Sequence, residues 1–127
     1  MTGNSILIDA CAHMHETDIS IYEPYALPWL ATVLTDVLDA NNSIRESKGL
    51  EPLALADILV RDLRENLNVE DELHNVLMYG VLVRIMANED DKSLLNTYMQ
   101  QYDIEKHNAT KAKMRFVTTH ETGRWDF

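Results

Sequence analysis

A disulfide framework is closed to this chain. Among its 127 residues there is one cysteine, Cys11, which rules out an internal bridge and a disulfide scaffold and is compatible with a reducing compartment. Glycine occurs four times and proline three times, too rarely for a turn-rich all-β fold or a low-complexity disordered chain, so helix is the natural expectation. Long apolar runs are missing as well. The longest, residues 76–87, contains Arg84 and falls short of the roughly 20 residues that a bilayer span needs. No basic segment stands ahead of Thr2, Gly3, Asn4 and Ser5, so the start does not read as a secretory signal, and synthesis as a soluble cytoplasmic protein is expected. Glycine-rich phosphate loops, G-x-S-x-G and similar nucleophile words are absent, and the expectation is a protein that is not an enzyme and carries no cofactor.

What the chain does have is acid, unevenly spread. Residues 1–105 hold 19 acids against 6 bases, whereas residues 106–127 hold Lys106, Lys111, Lys113, Arg115 and Arg124 against Glu121 and Asp126. An acidic body argues against wrapping nucleic acid, where affinity comes largely from cations that neutralise phosphates. A basic tail suits an acidic protein surface instead.

The apolar pattern predicts a single all-α domain, a four-helix-type bundle with a central apolar helix and an extended C-terminal tail, divided as a body over 1–113 and a tail over 114–127. Ile6 or Leu7, Ala10, Cys11 and Met14 recur at helical spacing behind Asn4 or Ser5 as a cap. A second helix is expected to begin between Pro24 and Pro28, carry Leu27, Leu30, Leu34, Val37, Leu38 and Ile44, and stop at Gly49. Residues 50–70 keep no single period and read as a connection with a short helix or extended piece. The third helix, expected from near Glu70, loses its polar face between Val76 and Met86 and must therefore be surrounded by others. Gly80 within it costs about 1 kcal/mol against alanine, which predicts close approach of a neighbouring helix. Asp90 or Asp91 caps a fourth helix with Leu95, Tyr98 or Met99, Tyr102 and Ala109 on one face, and residues 115–119 turn β-prone.

Several constellations invite chemistry and do not hold it. Cys11, His13 and His15 are good zinc-ligand types, yet only Cys11 and His15 would share a helix face, no second ligand pair follows, and His15–Glu16 lacks the spacing of zincins. Glu89, Asp90 and Asp91 lack the alternating oxygens, central glycine and closing glutamate of a calcium loop. No metal site is expected. Two features stand out as candidate interface: Arg84, a lone cation in the apolar helix that must snorkel, pair with an acid or meet another subunit, and the tail residues Met114, Arg115, Phe116, Val117, Arg124, Trp125 and Phe127. Arginine and aromatics are the types enriched at interface hot spots.

The order of these features resembles the head–tail adaptor (connector or head-completion) proteins of long-tailed bacteriophages and prophages. The resemblance rests on D-I-S-I-Y-E-P-Y-A-L-P-W-L at 18–30, N-N-S-I-R-E-S-K-G at 41–49, L-M-Y-G-V-L-V-R-I-M-A-N-E-D-D at 77–91 and Y-M-Q-Q-Y at 98–102. It implies a structural virion protein of the neck that assembles as a ring, commonly dodecameric, beneath the portal protein. DNA would pass through without specific binding, a downstream neck or tail-completion protein would bind below, and the C-terminal segment would reach the portal. Two other classes compete with it: a small helical regulatory or antitoxin-like partner-binding protein, acidic because it masks a basic partner, and a metal-dependent hydrolase built on Cys11, His13 and His15.

Overall fold

A computed structural model describes the backbone of residues 1–122 and the side chains of residues 1–110. The chain is all-α, with four main helices packed together: α1 (Gly3–His13), α2 (Glu23–Ser47), α4 (His74–Asn88) and α5 (Lys92–Thr122), and a single-turn α3 (Leu55–Ile58) within the long connection. The only sheet-like pairing among the described residues is an isolated antiparallel bridge between Thr2 and Asn66. No helix there is long and apolar enough to cross a membrane.

Helix α4 is the centre. Val76, Leu77, Met78, Val81, Leu82, Ile85 and Met86 are all buried, because α1, α2 and α5 each lie against a different side of it. The apolar run was expected to need such surroundings, and each fully buried aliphatic side chain stabilises the packed state by about 1.5–3 kcal/mol. Helix α1 contributes Ile6, Leu7, Ala10 and Cys11, and α2 contributes Leu30, Val33, Leu34, Val37 and Ile44.

Several boundaries differ from the sequence expectation. Thr2, rather than Asn4 or Ser5, caps α1: its hydroxyl accepts from the Ser5 amide at 3.1 Å while the Ser5 hydroxyl accepts from the Thr2 amide at 2.9 Å. Helix α2 starts at Glu23 with Pro24 in its first turn, and Pro28 lies inside the helix. A second proline so near the start removes one hydrogen bond but leaves the buried stripe of α2 in phase. Helix α4 starts at His74 after a 3₁₀ turn over Asp71–Leu73, later than Glu70. Residues 115–119 fall within the bounds of α5. Helix propagation adds a hydrogen bond per residue once a nucleus exists, and a local β preference is too weak to stop it.

Three helices end alike. After α2, Gly49 takes φ +76°, its amide donates to the Glu46 carbonyl at 3.0 Å, and the Leu50 amide donates to Arg45 at 2.9 Å, the double bond of a Schellman cap. His15 (φ 60°) closes α1 and Asp90 (φ 58°) closes α4 with the same pattern. Asp91 then caps α5, its carboxylate accepting from the Leu94 amide at 3.1 Å, so the two acids divide the turn between them.

The connection over residues 50–70 is pinned by neighbouring asparagines of α2. Asn42 accepts from the Leu53 amide at 2.8 Å and donates to its carbonyl at 2.9 Å, and the fully buried Asn41 accepts from the Glu70 amide at 2.8 Å. Lys48 reaches both Glu70 (2.7 Å) and Glu72 (2.9 Å), and Arg45 lies 3.4 Å from Glu70. The word at 41–49 thus anchors both ends of the least regular segment.

Candidate interaction groove

Gly80 determines how the bundle closes around α4. A Cβ on Gly80 would sit 2.6 Å from Cγ1 of Val33 and 3.0 Å from Cε1 of Tyr102, so α2 and α5 approach here as only glycine allows. Beside this crossing α2, α4 and α5 leave a groove of about 670 Å³. Arg84 lies one helical turn beyond Gly80 on the same face of α4 and lines the groove with Val83. Asp36 and Asp39 line it from α2, and Tyr102 from α5.

One wall is held by a three-residue polar contact. The Tyr102 hydroxyl donates to the Asp36 carboxylate, and Lys106 Nζ donates to the same oxygen at 3.1 Å while lying 5.8 Å from the centre of the Tyr102 ring. The hydrogen bond from Tyr102 lowers the pKa of Asp36 below the usual carboxylate range, assisted by Lys106 and Arg84 against the effect of burial. Burial and then the bond to Asp36 push the Tyr102 hydroxyl well above an ordinary phenol. Asp36 is far in sequence from Tyr102 and Lys106, which are themselves one helical turn apart at i, i+4 on α5.

Arg84 itself is exposed and makes no ion pair among the described residues, although Asp36 and Tyr102 feel its charge. Among the described residues it therefore snorkels rather than pairing, which leaves its guanidinium exposed on the groove. Asp39 likewise has no hydrogen bond or ion pair among the described residues and is exposed. Of the tail residues, the backbone of Met114, Arg115, Phe116 and Val117 lies within α5 and their side chains lie outside the described residues. Arg124, Trp125 and Phe127 lie outside the described residues altogether.

The cysteine–histidine cluster comes apart. Cys11 is fully buried, and burial first, then the Glu16 charge, raise its thiol pKa, the opposite of what a nucleophile or ligand needs. His13 packs edge-on against the rings of Tyr79 and Tyr98, with centroids 5.4 and 5.7 Å away. His15 serves the left-handed end of α1. Among the described residues no group of three or more His, Cys, Asp or Glu side chains is arranged to hold a metal ion. Near them the Tyr22 hydroxyl donates to Glu89, and this bond, with burial, pushes its pKa up to about 12.

No protein family model matches the chain, and no curated protein or solved structure matches it significantly.

Proposed function

We propose that the chain is a structural head–tail adaptor of a bacteriophage neck, a ring-forming protein that links the portal of the filled capsid to the next neck or tail-completion protein. The observation that carries this reading is the ordered set of words from residue 18 to residue 102 that resembles that family. It is supported by what those words do in the fold. Gly80 sits at the helix crossing, Tyr79 packs against the rings of His13 and Tyr98, Asp90 and Asp91 form the turn and the cap, Tyr98 and Tyr102 are the aromatic contacts of α5, and the word at 41–49 anchors the long connection. In this reading the work is binding, through helix faces and tail, with copies of the chain and with the portal. It requires no catalysis or cofactor. The acidic body would line a channel that repels passing DNA rather than gripping it.

Electron microscopy of portal-bearing capsids, prepared without the chain and then incubated with it, tests the proposal directly. Ring density at the portal vertex is expected with the full chain, and none with a chain ending at residue 113. Capsids that never acquire density, or that acquire it equally with the truncated chain, would count against the adaptor reading or against its tail contact, respectively.

A further inference from the structure

We infer that the groove between α2, α4 and α5 receives residues 124–127 of a second copy of this chain. The groove presents three unlike features within about 670 Å³: among the described residues, a cation without an ion pair, Arg84, and an acid without a partner, Asp39; and an apolar strip formed by the half-buried Val83 beside the Tyr102 ring. A polyanion would meet Asp36 and Asp39, and a purely basic segment would leave Arg84 opposed by like charge. The occupant that fits must carry both signs and apolar bulk. Residues 124–127 read Arg-Trp-Asp-Phe, which supplies a cation for Asp39, an anion for Arg84 and two aromatic rings for the strip.

The segment cannot come from the same copy. Helix α5 runs parallel to α2, with Tyr102 and Lys106 beside Asp36, and His107 and Thr110 lining a shallow cavity with Asp39 and Ser43. Helix α2 stops at Ser47, while α5 continues to Thr122 and leads away from the groove. From Tyr102 to Thr122 a helix extends about 30 Å at about 1.5 Å per residue. Five further residues span at most about 18 Å when fully extended. A tail seated in a neighbour's groove is a heterologous contact, which propagates head to tail and closes as a ring when the rotation allows. This specifies the self-association within the adaptor reading and rests on that reading only for the expectation that copies meet.

Sedimentation of the purified full chain tests it without any capsid. Concentration-dependent association is expected, weakened at least about tenfold by Arg84→Glu and by Asp126→Arg singly and largely restored in the double variant, where the two charges are exchanged. A synthetic peptide of residues 111–127 added to the wild-type chain should dissolve the association, which keeps the test valid should a variant fold poorly. A photo-crosslinking residue at position 125 should join light and heavy isotope-labelled copies at α4. A wild-type chain that stays monomeric, single variants that associate like wild type, an inert peptide, or cross-links confined to one copy would each overturn the inference. None of these results bears on whether the chain attaches to capsids, so the two ideas fail separately.

Discussion

Helices α4 and α5 form an antiparallel pair with the most extensive contact in the molecule, yet they are held by different physics. Helix α4 buries eight of its 15 residues, nearly all of them apolar side chains, and its position follows from apolar area. Helix α5 buries one described side chain, Tyr98, sets Leu95, Tyr102 and Ala109 half-buried against the core, and leaves Leu94, Met99 and Ile104 40–50% exposed. A few aromatic and polar contacts stand in for a buried face. Local opening is therefore expected to be far easier along α5 than along α4, which is the distribution required when one element holds a body together and its neighbour carries contacts to other molecules.

The largest effect that would separate the two helices is cavity formation. Leu77→Ala, at a fully buried position of α4, should cost about 2–5 kcal/mol in denaturant unfolding, while Met99→Ala on α5 should stay within about 0.5 kcal/mol of the parent. Equal losses would remove the distinction. Gly80→Ala probes the crossing that joins them. Alanine is the better helix former, but its Cβ meets the branched end of Val33, so a net loss of about 1–3 kcal/mol is expected, and a gain in melting temperature would show that α2 can withdraw.

Tyr102→Phe isolates the polar attachment of α5 and should cost about 1 kcal/mol at neutral pH, less than a buried charged hydrogen bond because Asp36 is half exposed. The pKa of Asp36 is depressed in the folded state, so this contribution is present above the unfolded carboxylate value and is lost as pH falls through the folded one. The two proteins should accordingly converge in stability in acid, and a gap that persists or widens there would assign the effect to packing. The smallest change lies at the joint itself. Asp90→Gly relieves a left-handed backbone that aspartate tolerates only moderately, and thermal unfolding should show a gain of about 0.5 kcal/mol.

Much of the body could be read from periodicity. The stripe of α2, the need of α4 for surroundings on all sides, the close approach at Gly80, the stop at Gly49 and the turn at Asp90 and Asp91 all depend on local chemistry, and each appears in the fold. Helix starts shifted by several residues, because Thr2 and Ser5 cap one another and because proline is compatible with more than one early position. The groove was legible only by half. Arg84 is conspicuous within an apolar helix, whereas Asp36 is one acid among many on a solvated face until Tyr102 and Lys106 are folded against it. Long-range polar pairing leaves no period to detect.

The adjacent asparagines 41 and 42 change the standing of the connection over residues 50–70 that they hold. A connection of that length ordinarily exchanges its amide hydrogens with solvent through small local fluctuations. The Leu53 and Glu70 amides are instead bonded to carbonyl oxygens of side chains seated on α2, Asn41 being fully buried. Their protection should track that of α2 rather than that of the surface between them, so deuterium uptake would count the ends of this connection as part of the bundle.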